Sequence, residues 1–459
     1  MEQPRNDRAT PEIPASRKRK AETPPPPDDS IPSAQLASLK EHHTPQQALS
    51  SANGHNSLVE PPSPDSGRPS YSTDDNSSTF DRSDMSQAGT SSTSLGRYSP
   101  PYQQQHYGHG GSALDDADED RDEAEEHAAV EQAEEGSIVV DSDDVGSDAG
   151  YETDTHTSGS TSLADSVRDY IYENGRRYHK FREGRYNFPN DDIEQQREDM
   201  KHTMVKMLCG QLYFAPIGKS PQQILDIGTG TGIWAIEMGD EFESATVLGI
   251  DLSPIQPEWV PPNVRFMVDD VESPWLHNRN FFDYIHSRHT VMAIKDWPKL
   301  MRRALEHLRP GGWFEMQEVH HFPISANKSM PPEHPVAQYW SLINQGLGNL
   351  GINFYACANG NLANMMRENG FVNVTERVLQ IPIGTWPKNK VLKTVGLYWR
   401  TILTDGIQAI ALGPLTRGCG WSPQDVEILL MEVRKAYKDN SSLMYMPLHI
   451  IYGQKPPNY

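Results

Sequence analysis

The stretch ILDIGTGTGIWAIE, Ile224–Glu237, decides the fold. Ile224 and Leu225 end an apolar strand and Asp226 closes it. Gly228, Gly230 and Gly232 make a tight turn, and Ile233–Met238 starts a helix. A strand, a glycine turn and a helix N-terminus in that order suit a nucleotide-like ligand. Glycine lets the backbone approach closely at positive φ, and the helix end offers free N–H groups. The spacing then narrows the ligand. A dinucleotide fingerprint, G-x-G-x-x-G, would put its third glycine where this chain has Ile233. The pattern D-x-G-x-G-x-G, with an acid just ahead of the glycines, suits a ligand carrying a cationic amino group rather than a pyrophosphate.

The next two strands support that reading. Ala245–Ile250 is apolar and ends in Asp251, 19 residues beyond Gly232. That separation places a carboxylate under a ribose, where it can accept from both hydroxyls. Val264–Val268 follows and ends in Asp269-Asp270-Val271. An acid there can accept from an exocyclic adenine amine; Asp270 is assigned the role, with Asp269 as the alternative. Three strands each ending in an acid make one βαβαβ unit with its ligand at the carboxyl edge.

Downstream, Phe281–His286 reads as a fourth strand and puts His286 and His289 at the same edge. Asp296-Trp-Pro298 starts a helix that Arg309-Pro-Gly-Gly312 breaks, and Trp313–Glu318 is strand five. Two helical segments between Pro332 and about Met366 suit a lid over the substrate side, or equally a dimer face. Phe371–Val378 is strand six, Val391–Ile410 and Ser422–Ala436 are inserted helices, and Tyr445–Tyr452 returns as strand seven. Upstream, helix-like spacing runs from Ser162 to Tyr172, followed by a Tyr/Arg/His-rich strip to Asn190 that could lie over a cofactor cleft. A helix capped by Asp191 or Asp192 comes next.

Composition divides the chain unevenly. Of its 459 residues 36% are hydrophobic, low for a wholly globular protein, and the net charge is −22. Residues 1–160 hold 11 Lys+Arg against 31 Asp+Glu, so nearly all that charge sits on the first third. This third cannot bury enough apolar surface to offset the entropy of ordering and is expected to be disordered. Residues 161–459 are then one α/β domain with cap helices (161–215) and lid insertions (328–368 and 388–440). Cys209, Cys357 and Cys419 are widely spaced, which argues for a reducing compartment and against a structural zinc; no metal is expected. No run of 18 apolar residues exists and no signal-peptide core is visible, so no membrane role is expected.

Within the tail, Arg17-Lys-Arg-Lys20 is a compact basic cluster suited to an import receptor, which points to a nuclear protein. The triplet Ile138-Val-Val140, followed by Asp141, Asp143 and Asp144, resembles a SUMO-interacting segment that would add a strand to a partner's sheet. The large acidic charge argues against direct DNA binding, since it repels the duplex.

Asn174–Tyr186, Leu225–Glu237, Gly249–Pro257, Asp296-Trp-Pro298, His307–Pro310 with Trp313-Phe-Glu315, and Leu448-His-Ile450 together resemble the fungal LaeA-like methyltransferases, regulators associated with velvet proteins. The resemblance covers roughly residues 165–456. It implies a class I methyltransferase fold, a doubly wound seven-stranded Rossmann-like sheet, with S-adenosylmethionine as cofactor. It also implies a role in transcriptional control of secondary metabolism, velvet-type partners, and relatives that methylate small molecules. On that footing Gly228, Gly230 and Gly232 form the cofactor turn, and Asp226 serves the amino group or the loop geometry. Asp251 takes ribose and Asp270 the adenine amine. Thr229 stands where some relatives have Cys, a change expected to be tolerated because the loop acts through its backbone. The methyl acceptor, protein or small molecule, is not fixed by sequence. If it carries a proton, His286, His289, His320, His321 and Glu318 are candidate bases by position. A non-catalytic scaffold in a regulatory complex is the other reading.

Overall fold

The computed structural model describes residues 115–142 and 170–459. Elements follow in chain order as α1 (Asp115–Glu135), β1 (Tyr170–Glu173), β2 (Arg176–His179), α2 (Asp192–Cys209), β3 (Gln223–Ile227), α3 (Ile233–Glu241), β4 (Thr246–Asp251) and β5 (Val264–Val268). Then come β6 (Phe282–Arg288), α4 (Trp297–His307), β7 (Leu308–Val319), β8 (Ile324–Ser325), α5 (Pro335–Asn349), α6 (Asn361–Glu368) and β9 (Val372–Pro382). α7 (Lys390–Asp405), α8 (Ile407–Leu412), α9 (Pro423–Tyr437) and β10 (Met444–Gln454) complete the set.

The main sheet runs β5-β4-β3-β6-β7-β10, with β9 on the far side of β10 and the two-residue β8 also paired to β10. β5 through β7 are parallel, and β10 alone runs against its neighbours β7 and β9. The order reverses at β3, so a crevice opens beyond its carboxyl end, where open α/β sheets bind ligands. The central strands are buried on both faces: Leu225, Ile227, Ile285, Phe314 and Met316 are all inaccessible.

Local chemistry explains the element ends. Asp191 caps α2 by accepting from Glu194 N–H at 3.1 Å, and Gly210 ends it in the left-handed region at φ 67. Asp296 accepts from Lys299 N–H at 2.9 Å to start α4, and Ser422 caps α9.

Two expectations are corrected here. The stretch expected to be helical up to Tyr172 ends, in its described part, as β1 of a β1–β2 hairpin. Asn174 (φ 52) and Gly175 (φ 78) make its turn, and Asn-Gly at positive φ is the sequence signature of such a hairpin. Among the described residues of the expected cap, 170–215, a hairpin precedes the helix α2, so the cap is not helices alone.

The second correction concerns the acidic tail. Residues 115–135, counted with a disordered third, form α1, which packs on β9, α7 and α2. Ala129 and Ala133, four apart on one face, are fully buried. Glu134 takes Arg377 in a two-pronged contact at 2.8 and 2.6 Å, and Lys390 meets Glu125 at 3.3 Å. A count of apolar residues misses this helix because an alanine stripe needs little area and the domain supplies the cations. Beyond it, Val139 C=O accepts from Lys388 N–H (2.7 Å) and Asp141 N–H donates to Trp386 C=O (2.8 Å). The Ile138–Asp141 segment thus adds a strand-like rung to its own domain. The cluster Arg17–Lys20 lies outside the described residues.

Candidate functional site

The turn after β3 sits at the sheet's switch point with Gly228, Gly230 and Gly232 all left-handed, at φ 66, 57 and 84. Close approach is demanded from several sides. A Cβ on Gly230 would meet the Glu198 carboxylate at 2.7 Å, and one on Gly232 would overlap the Phe266 ring. Packing, as much as a ligand, requires these glycines.

The turn's own N–H groups are engaged within the protein, unlike those expected free at the helix end. Gly228 and Thr229 donate to Ile250 C=O, Gly230 N–H donates to Asp251 at 2.9 Å, and Gly232 N–H to Thr229 C=O. Those four offer nothing to a pyrophosphate. What faces the cleft is negative instead: Glu194, Glu198, Asp226, Asp251, Asp269, Asp270 and Glu272 line it, against Arg185, Lys201 and Arg288. A ligand bearing sulfonium and ammonium charges fits such walls, and a dinucleotide does not.

Each expected residue has a definite place. Asp226 is buried and spent on the protein: it lies 2.8 Å from His286 Nδ1 and accepts from Thr229 Oγ1 at 2.6 Å. Of its two expected roles, loop geometry is the one visible. The Thr229 side chain therefore matters, against the expectation that only its backbone does. His286 is also stacked on Trp234, with ring centroids 3.6 Å apart. Asp251 accepts from Gly230 and Ser253 N–H groups; burial nonetheless holds its carboxyl above the usual range, those donors opposing. Asp270 accepts from Glu272 N–H at 2.9 Å and meets Arg185 at 3.2 Å. Asp269 accepts from Asp270 N–H at 2.7 Å.

The aromatic-basic strip does reach the cleft: Arg185, Tyr186, Pro189 and Asn190 line it. The sequence reading missed the wall made by α2. Glu194, Glu198 and Lys201 lie at i, i+4 and i+7 on one helix face, a spacing that was open to view in the sequence. Burial pushes the Glu198 carboxyl up to about 7, Lys201 opposing and Glu194 and Asp251 adding; burial pulls the Lys201 amine below the usual lysine range.

Among the candidate bases, Glu318 is committed to clamping the loop after β6, accepting from Thr290 N–H, Thr290 Oγ1 and Val291 N–H at 3.0, 2.7 and 2.9 Å. His320 packs against Tyr355 and does not line the cleft. His289 lines the cleft, while His321 lines a smaller compartment behind it. Among the described residues no cluster of His, Cys, Asp or Glu could hold a metal, and no helix is long and apolar enough to cross a membrane.

Strand order, switch-point turn and acid-walled cleft define a class I methyltransferase. The comparisons agree: a family described as a methyltransferase domain matches residues 197–376. The chain is 40% identical over 301 residues to methyltransferase pytC of Aspergillus terreus, covering 65% of this chain and 92% of that one. It is 35% identical over 292 residues to secondary metabolism regulator LAE1 of Cochliobolus heterostrophus, covering 62% and 94%. It is 30% identical over 318 residues to protein-methionine methyltransferase laeA of Emericella nidulans, covering 67% and 84%. The chain belongs to the LaeA-like methyltransferases.

Proposed function

We propose that this protein binds S-adenosylmethionine in the β3–β5 cleft and passes its methyl group to an acceptor entering beside Tyr186 and His289, as part of a nuclear regulator of secondary metabolism. The observation that carries the reading is the cleft itself, an anionic wall facing a turn whose four glycine-loop donors are already satisfied. Gly228 and Gly230 would lie along the methionine portion, Asp251 under the ribose and Asp270 at the adenine amine, with Asp226 fixing the turn. When bound, the cofactor supplies a methyl that is already electrophilic. The chain's own work is then to align the acceptor, exclude water and neutralise positive charge. Arg185, bridging Asp270 and Glu272 at 3.2 and 3.4 Å, closes the adenine end.

The regulatory role is supported by the relatives known as secondary metabolism regulators, LAE1 of Cochliobolus heterostrophus and laeA of Monascus pilosus. A velvet-type partner and import through Arg17–Lys20 belong to the same proposal. Calorimetry tests the cleft: S-adenosylmethionine binds the wild type, and Gly230→Asp abolishes binding by driving a third carboxylate against Glu198 and Asp251. Unchanged affinity in that variant would refute the site.

A further inference from the structure

The charges that line the cleft are unevenly committed. Asp226 is taken by His286 and Thr229, Asp251 by two backbone N–H groups, and Asp270 and Glu272 by Arg185. Glu194 holds Arg197, and Asp269 accepts from Asp270 N–H. Of the cleft carboxylates, Glu198 alone has neither a hydrogen bond nor an ion pair among the described residues. Two cations stand in a similar position. The Lys201 amine pairs with nothing among the described residues, although Glu198 lies three residues back on the same helix face, where ion pairs readily form. Arg288 has no carboxylate partner there either; its one polar contact is His202 Nδ1, which accepts from it at 2.6 Å. Burial holds both cations below their usual ranges, as expected of charges withdrawn from water without a counter-charge.

The sheet sets where these three groups fall. β3 has β4 on one side and β6 on the other. On the β4 side Ile227 is level with Ile250, so Asp251 follows at the nucleoside end. On the β6 side Ile227 is level with Ser287, so Arg288 lies beside Gly228. α2 crosses the turn between them: a Glu198 carboxylate oxygen lies 2.7 Å from where a Cβ on Gly230 would stand. Lys201 sits one turn further along α2, with His289 of the loop after β6. From β5 to β6 the cleft therefore presents engaged carboxylates, then one free carboxylate over the glycines, then two cations.

We propose that Glu198, Lys201 and Arg288 form a clamp for a zwitterionic α-amino acid, so that the cleft selects a nucleoside carrying an intact amino-acid end. Glu198 receives the ammonium, and Lys201 with Arg288 receives the carboxylate. The inference rests on the cofactor reading above and assigns its methionine portion. Asp226, the acid expected for the amino group, is unavailable because His286 holds one of its oxygens and Thr229 the other. Glu198 is the cleft carboxylate left to take an ammonium, and charge-assisted hydrogen bonds of that kind are short and strong. An ammonium brought to it also offsets the burial that pushes its carboxyl up to about 7. Arg288 keeps donors beyond the one given to His202, and a carboxylate can use two of them. Lys201 meets the same carboxylate as a compact point charge.

The test is calorimetry on the full-length protein at about pH 7.5, between the values of about 7 for Glu198 and about 8 for Lys201, where both are largely charged. Three sulfide probes leave the sulfonium charge out of the comparison: S-adenosylhomocysteine, its decarboxylated amine, and methylthioadenosine, which has no amino-acid end. The wild type is expected to bind S-adenosylhomocysteine about tenfold tighter than the amine and about a hundredfold tighter than methylthioadenosine. Lys201→Met weakens S-adenosylhomocysteine about tenfold and does not weaken the other two. Glu198→Gln weakens S-adenosylhomocysteine and the amine about tenfold each and leaves methylthioadenosine unchanged. Equal loss of all three ligands in a variant marks a merely structural role and overturns the clamp. So does S-adenosylhomocysteine affinity that is unchanged in both variants. The wild-type comparison needs no variant to fold. A wild type that binds methylthioadenosine as tightly as S-adenosylhomocysteine keeps the nucleoside site and sinks the clamp alone. One that binds none of the three sinks the cofactor reading, and the clamp with it.

Discussion

Asp226 Oδ1 stands 2.8 Å from His286 Nδ1, with the carboxylate and the ring both withdrawn from water. Through Thr229 the same carboxylate also fixes the first turn of the glycine loop. Asp226→Ala removes both contacts and leaves buried partners unsatisfied. We expect a loss of about 2–3 kcal/mol in urea unfolding, with cofactor affinity falling in parallel. An affinity that falls with stability unchanged would mean that Asp226 serves the ligand directly.

Thr229→Val keeps the shape and deletes only the hydroxyl that donates to Asp226. The expected cost is about 1–2 kcal/mol, read from the shift in unfolding midpoint. A neutral substitution would show that the loop does act through backbone alone.

Binding of a cationic cofactor is expected to strengthen as pH rises through about 7, the value to which burial pushes Glu198. Below it the carboxyl is protonated and contributes no negative charge; above it the wall gains one. Calorimetry in buffers of different ionisation enthalpy should register proton release near pH 6.5, lost in Glu198→Gln. The same raised value acts oppositely on the empty protein. Nothing is lost below the ordinary value of 4.5, where the group is protonated folded and unfolded, and the penalty is complete above about 7.

Arg185 spans Asp270 and Glu272 while remaining about a third exposed, so it behaves as a latch rather than a core pair. Arg185→Ala should raise the cofactor's dissociation rate several-fold and change its association rate little, as stopped-flow would show. Equal changes in both rates would remove the latch.

Ala133 has no exposed surface where α1 meets the domain. Ala133→Asp buries a carboxylate there and is expected to cost about 2–3 kcal/mol, with faster proteolysis at α1. Unaltered stability would mean that α1 is not part of the folded unit.

The sheet was legible because its signals are local. A strand ending in an acid recurs at Asp226, Asp251 and Asp270, the first followed by the glycine turn, and each acid lies at the carboxyl edge. The rest depended on contacts between distant segments. Nothing near Glu198 in the sequence says that its carboxylate rests over Gly230, and nothing near Ala129 says that β9 covers it. The four engaged loop donors were equally hidden, because their acceptors come from β4 and from the turn's own folding. The Asn174-Gly175 turn is different: its signature was present and was outweighed by helix-like spacing upstream. Among five candidate bases, position alone could not separate His289 from His320; only burial and hydrogen bonding do.

The rung formed by Val139 and Asp141 on Trp386–Lys388 has a cost for any reader of that segment. A domain that captures the Ile138–Asp141 run as an extended peptide competes with a ligand tethered to its own receptor. Tethering of this kind amounts to a local concentration on the order of millimolar. An outside binder with micromolar intrinsic affinity would thus be weakened in proportion, and Lys393 withdraws its grip on Asp141 only when the segment lets go.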